Sequence, residues 1–160
     1  MPKTRSKNTP FDLLKEDHDK VKKSFKEFEK MDRQDTETCR QLVLATCEDL
    51  KVHTTLEEEI FYPALREAME DEDLLNEAAV EHETAKMLIE QLENMSADDP
   101  NYFATFTVLG EYVMHHVKEE EGEMFPEAKK CDIDFEGLAE RMRSRKEELM
   151  GEMAKEAQQA

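Results

Sequence analysis

Four histidines and two glutamates in this chain are residue types that hold transition metals, and their spacing occurs twice. His53-Thr-Thr-Leu-Glu57-Glu58 is followed by Phe61-Tyr62-Pro63, and His116-Val-Lys-Glu-Glu120-Glu121 by Met124-Phe125-Pro126. A lone histidine precedes each block, by 35 residues from His18 to His53 and by 34 from His82 to His116. In both copies histidine to glutamate is four residues and histidine to proline is ten. Residues four apart on a helix share a face, one turn apart, so each block can aim an imidazole and a carboxylate at one point. Six such groups left unpaired in a dry core would be costly, and a bound cation removes that cost.

The elements that must carry these groups read as helices. The chain has 160 residues, 39% of them charged, with four glycines and no tryptophan. That balance favours one domain of long amphipathic helices with a substantial core. A first helix opens at Thr9-Pro10, with Thr9 as cap and Phe11, Leu14, Val21, Phe25 and Phe28 as its stripe. His18 falls on that stripe and points inward. A second runs from Asp35-Thr36 to about Met69, with Leu42, Thr46, Asp49 or Leu50, His53, Glu57 and Ile60 or Phe61 inside. Pro63 should kink it. A third, from Asp73 to Met95, carries Leu75, Ala79, His82, Ala85, Ile89 and Leu92 on one side. A fourth is capped by Asp99 with Pro100 in the first turn. It turns Phe103, Phe106, Leu109 or Gly110, Val113, His116, Glu120 and Met124 inward, and Pro126 mirrors Pro63.

A fifth, highly charged segment follows Asp134, with Phe135, Leu138, Met142 and Leu149 as a weak seam that packs outside or frays. Short polar connections predict an all-α fold: an up-down-up-down four-helix bundle of two similar helical hairpins, plus an extra C-terminal helix. Residues 1–9 read as a flexible tail, 10–131 as the bundle and 132–160 as the charged C-terminal helix.

Charge and composition exclude several classes. A net charge of −18 opposes nucleic acid or an anionic membrane as partner. Nothing reads as a signal peptide or a membrane span, which predicts a cytoplasmic protein. Cys39, Cys47 and Cys131 make neither a disulfide framework nor a CxxC site. No HExxH occurs, since Lys86 stands where the second histidine would be. The residues three before the histidines (Lys15, Leu50, Ala79, Tyr112 and Val113) include no glutamate, so the ferritin-type ExxH pair is absent. His115 and Glu119 form another HxxxE pair, but off the apolar stripe, so His115 reads as a flank or surface residue.

Six ligands over-supply one structural zinc. Two ions fit: one held by His18 and His53, the other by His82 and His116, with Glu57 and Glu120 bridging. Iron, manganese and zinc all suit such donors. Asp49 and Tyr112, one turn before His53 and His116, are candidates to orient the rings or gate the site. Glu58 and Glu121 read as solvated neighbours.

His18, His53-xxx-Glu57, His82 and His116-xxx-Glu120, with both trailing aromatic-Pro turns, resemble the hemerythrin-like (HHE cation-binding) family over about residues 11 to 130. The resemblance implies a four-helix bundle with two iron ions joined by an oxo or hydroxo bridge. It also implies small-molecule ligands: dioxygen in carriers, peroxide or nitric oxide in others. Carriers have one more histidine, at the position of Lys86 here. Without another donor there, the two irons would be nearly equivalent and more open, favouring peroxide or nitric oxide over storage of dioxygen. Iron–sulfur repair members carry a cysteine in a short N-terminal segment, and Met1 to Thr9 has none. The sequence therefore predicts a di-iron protein that binds or reacts with dioxygen, peroxide or nitric oxide in scavenging, sensing or stress response. The alternative is a non-enzymatic oxygen or iron carrier, or a bundle with a purely structural metal.

Overall fold

A computed structural model describes residues 9–159. Residues 1–8, most of the stretch read as a flexible tail, lie outside the described residues. Helix α1 spans Pro10–Glu29, and its start follows from its letters. Thr9 is extended and its hydroxyl accepts from the Asp12 amide, while Pro10 sits in the first turn, where no amide partner is lost. Helix α2 covers Thr36–Leu56, capped by Asp35, whose carboxylate accepts from the Thr38 amide. A π turn at Glu57–Phe61 joins it to α3, Tyr62–Ala68. Helix α4 is Asp73–Asn94. Helix α5 is Tyr102–Glu119, followed by a second π turn at Glu120–Met124 and by α6, Phe125–Lys129. Helix α7 runs from Phe135 to Gln159.

Helices α1 and α2 form one hairpin, and α4 and α5 the other. Helix α1 also lies beside α5, and α2 beside α4, which closes the four-helix bundle. Among the described residues no helix is long and apolar enough to cross a membrane.

Both prolines act on their helices by the same route. The Tyr62 amide donates to the Glu57 carbonyl and the Phe125 amide to the Glu120 carbonyl, five residues back instead of four. The extra residue places Pro63 and Pro126 in the first turns of α3 and α6, where a missing amide costs little. It also changes which side chain lies over each glutamate. In an α-helix that would be the fourth residue on; here it is the fifth.

The core divides into two apolar blocks. One holds Val21, Phe28, Val43, Leu50, Ile89, Leu92, Tyr102, Phe106 and Leu109; the other holds Phe11, Leu14, Phe61, Leu65, Leu75, Phe125, Leu138 and Met142. Several inward positions differ by one residue from the periodic reading. Val43 is buried and Leu42 only partly; Ala78 is buried and Ala79 exposed; Tyr102 is buried and Phe103 half-buried. The fourth helix starts later than expected because Asp99 makes a turn, its carboxylate accepting from the Asn101 amide and its carbonyl from the Tyr102 amide. That later start sets Tyr102, Phe106, Leu109 and Val113 as the stripe. Helix α7 docks on α1, α2 and the first π turn, with Leu138, Ala139 and Met142 buried.

Candidate metal centre

Between the apolar blocks lies a polar layer that holds all six side chains singled out by spacing. His18 comes from α1, His53 from α2, His82 from α4 and His116 from α5. Glu57 and Glu120 open the two π turns. The carboxylates stitch the hairpins together. Glu57 Oε1 lies 3.1 Å from His53 Nε2 on its own helix and 3.2 Å from His82 Nε2 on the other hairpin. Glu120 Oε2 lies 3.0 Å from His116 Nε2, and its Oε1 lies 3.3 Å from His18 Nε2. The imidazoles pair within each hairpin, with ring centroids 4.9 Å apart for His18 and His53 and 5.0 Å for His82 and His116.

The far ring nitrogens face a second set of acids. Asp17 Oδ2 is 2.9 Å from His53 Nδ1, and Glu81 Oε1 is 3.0 Å from His116 Nδ1. Glu121 and Glu58 lie 3.7 Å from Nδ1 of His18 and His82. Each acid next to a lone histidine in sequence thus serves the other histidine of its own hairpin. Glu58 and Glu121, the acids directly after Glu57 and Glu120, face the lone histidine of the opposite hairpin but stay 3.7 Å away, and the Nδ1 atoms of His18 and His82 have no hydrogen bond.

Tyr62 belongs to the layer too. Its hydroxyl donates to Glu120 Oε2 and sits 3.3 Å from Nε2 of both His82 and His116. The matching residue of the second copy is Phe125, which cannot donate and instead stacks on His18 with rings 6.2 Å apart and 9° from parallel.

These contacts hold the ionisable groups away from their ordinary values. Burial alone would push the Glu57 carboxyl up, but the charge of His53 and its contacts with His53 and His82 hold it well below the usual carboxylate range. Burial disfavours charge on His53, yet Glu57 and Asp17 keep that imidazole well above its usual value. His116 is raised to about 10, against the pull of burial, by Glu120, Glu57 and Glu81. Tyr62 is pushed well up by burial and by the charges of Glu120 and Glu57.

A cation fits this donor set. His18 Nε2, His53 Nε2, both oxygens of Glu57 and Glu120 Oε1 are buried without a hydrogen bond, the arrangement that leaves desolvated lone pairs seeking a partner. Within 4.8 Å of one another lie donor atoms of His18, His53 and Glu120, and likewise of Glu57, His82 and His116. Beside the layer is a cavity of about 30 Å³ onto which all four histidines and Glu57 open, with Val21, Leu50, Ala85, Val113 and Val117 among its apolar walls. That is room for one or two water-sized molecules.

The hemerythrin HHE cation binding domain matches residues 9–128. The chain belongs to this family. A DNA nickase from Nostoc sp. is 30% identical over 114 residues, 71% of this chain, and the chain spans about a third (32%) of that protein's length. A crystal structure of a hemerythrin HHE cation binding domain-containing protein from Mycobacterium kansasii superposes with a TM-score of 0.76 at 23% identity, covering 90% of this chain and 88% of that one. That likeness extends the shared fold past the bundle into the C-terminal helix.

Within this HHE domain neither Asp49 nor Lys86, the third residue that could act on the rings from outside, reaches a ring nitrogen, and Tyr112 stands where it can gate the cavity but not orient His116. Asp49 pairs with Lys20 at 3.2 Å; the Nδ1 of His53 belongs to Asp17. Tyr112 is 47% exposed and lines the cavity rim, while Glu81 takes the Nδ1 of His116. Lys86 turns outward to Glu58 at 2.6 Å and touches the layer only through that carboxylate, which also faces His82. One signal could have found Asp17 and Glu81: an acid directly precedes both lone histidines. Tyr62 carried no such signal, because only the π turn brings it over Glu57.

Proposed function

We propose that the polar layer holds two iron ions, one at His18 and His53 and one at His82 and His116, bridged by Glu57 and Glu120. We propose further that the protein binds or reacts with dioxygen, hydrogen peroxide or nitric oxide. The observation that carries this reading is the cavity: about 30 Å³, walled by aliphatic side chains and lined by all four histidines. It suits a ligand of two to four atoms. Two irons, joined by an oxo or hydroxo bridge, would supply open coordination positions and one-electron steps to such a ligand.

The chain's own residues prepare that layer. Asp17 and Glu81 accept from Nδ1–H, which leaves the Nε2 lone pairs of His53 and His116 turned inward. Tyr62 fixes Glu120 by donating to it and offers one more oxygen, at the His82–His116 end alone. With Lys86 turned away, this hydroxyl makes the two ends unequal, and iron at the His18–His53 end would have the fewer protein donors. Phe11, Phe61 and Phe125, packed ring against ring, exclude water from the side opposite the cavity. The DNA-nicking activity named for the Nostoc relative is not carried over, since a net charge of −18 repels a phosphate backbone.

Metal analysis joined to spectroscopy tests the proposal. The purified protein should hold two irons per chain, and its reduced form should change spectrum on exposure to dioxygen, peroxide or nitric oxide. Peroxide consumed over many turnovers would mark a scavenger, and a reversible dioxygen adduct a carrier. One zinc per chain, inert to all three, would refute it.

A further inference from the structure

The HxxxE pair that the interior does not use, His115 and Glu119, is not isolated. His115 Nε2 lies 3.0 Å from Glu119 Oε1 on the outer face of α5, and Glu81 of the neighbouring α4 brings a carboxylate oxygen within 4.8 Å of both ligand atoms. The three line an open groove with Asn76, Glu77 and Val80. Among the described residues neither Glu81 nor Glu119 is paired with a lysine or arginine. A carboxylate already resting on His116, a second carboxylate and an imidazole thus converge on one solvent-facing spot.

The first hairpin shows what this face becomes when it serves packing. The residues matching Glu81, His115 and Glu119 are Asp17, Val52 and Leu56. Val52 and Leu56 are buried, and Asp17 is neutralised by Lys146 of α7 at 2.7 Å. Among the described residues no fifth helix docks on the second hairpin as α7 does on the first, and there the two apolar residues are replaced by a histidine and a glutamate one turn apart. Packing does not call for either.

We propose that Glu81, His115 and Glu119 form a second, solvent-facing site for a divalent first-row transition-metal ion. One nitrogen and two carboxylate oxygens suit zinc, manganese or ferrous iron, whereas calcium prefers six or more oxygens. Donors about 2.0–2.2 Å from one ion lie roughly 3.0–3.4 Å apart; His115 and Glu119 already meet that spacing, and a side-chain rotation of half-buried Glu81 brings its oxygen in. Water fills the remaining positions. Because Glu81 Oε1 rests on His116 Nδ1, the outer ion takes the other oxygen of Glu81 and sits one carboxylate away from the interior layer.

Equilibrium dialysis of the full chain as purified separates the two kinds of metal. Ion retained through chelator-free dialysis reports the interior, and exchangeable zinc added afterwards reports the outer site. The wild type should bind one exchangeable zinc per chain that excess copper(II) displaces and excess calcium does not. His115→Ala with Glu119→Gln should weaken that binding at least tenfold with retained metal unchanged. Glu152→Gln with Glu156→Gln, which removes exposed charge on α7, should leave it as in the wild type. Equal binding by the His115/Glu119 variant overturns the proposal. So does an equal loss in both variants, which would mean diffuse attraction to an acidic surface.

Discussion

The two hairpins present the same four inward groups but treat their outer faces differently. Against the first lies α7, with Leu138 and Met142 in the core and Lys146 on Asp17; the second hairpin has no such cover among the described residues. Inside, the first copy contributes a tyrosine that donates to the second copy's glutamate, where the second contributes a phenylalanine on His18. The comparison teaches that the repeat fixes the donors and leaves their surroundings free. Near-identical histidine–glutamate registers carry two unlike environments, one dry, covered and charge-balanced, the other reached by water.

The largest effect should come from abolishing what the hairpins share. Each bridging glutamate touches both, so Glu57→Gln should lower retention of both ions together, by more than about 100-fold, since even outer partners of metal ligands are worth 10–100-fold. Metal content after gel filtration measures it. Loss of only one ion would mean the hairpins hold their metals separately.

Making the first copy like the second is a smaller change. Tyr62→Phe removes a buried donor from Glu120 and should cost the metal-free protein about 1–3 kcal/mol. Its thermal midpoint should fall by several degrees, at roughly 2–4 °C per kcal/mol for a chain of this size. In the loaded protein the two ions should become more alike by Mössbauer spectroscopy. Phe125→Tyr, tried alone, should not restore the difference, because the ring at that position faces His18 instead of the His82–His116 pair.

The smallest effect should come from uncovering the first hairpin electrostatically. Lys146→Met leaves α7 in place but frees Asp17, which burial alone would raise and which His53 and Lys146 now hold below its usual value. Stability should fall by about 1 kcal/mol or less, as for partly exposed ion pairs. A perturbation confined to the ion at His18 and His53 would show that α7 reaches the centre through Asp17. A signal unchanged at both ions would show that its cover is only mechanical.

Much of this was legible in the letters. Periodicity placed every bundle helix, and the doubled spacing brought out the six inward groups, because a straight helix obeys one rule of rotation over many turns. What stayed hidden depends on other rules. Tyr62 enters through a turn of five residues, which a 3.6-residue period skips. Asp17 and Glu81 act across to a neighbouring helix, so their own helix face says nothing of their partner. Asp49 shares a face with His53, yet Lys20 reaches it first. The docking of α7 rests on Leu138, Ala139 and Met142; the first and last make a weak seam in the sequence, too sparse in a charged segment to decide between packing and fraying.

A π turn is an α-helix with one residue to spare. Removing that residue, Gly122 for example, would return the chain to regular winding and swing all that follows by about 100°. Glu120, upstream, would keep its place, while Phe125 would leave His18. At Glu57 the same change would move Tyr62 off Glu120, so there the lid and a donor of the opposite hairpin are tied. On the second copy, donor and lid are separate modules on one continuous rod, exchanged by a single codon gained or lost.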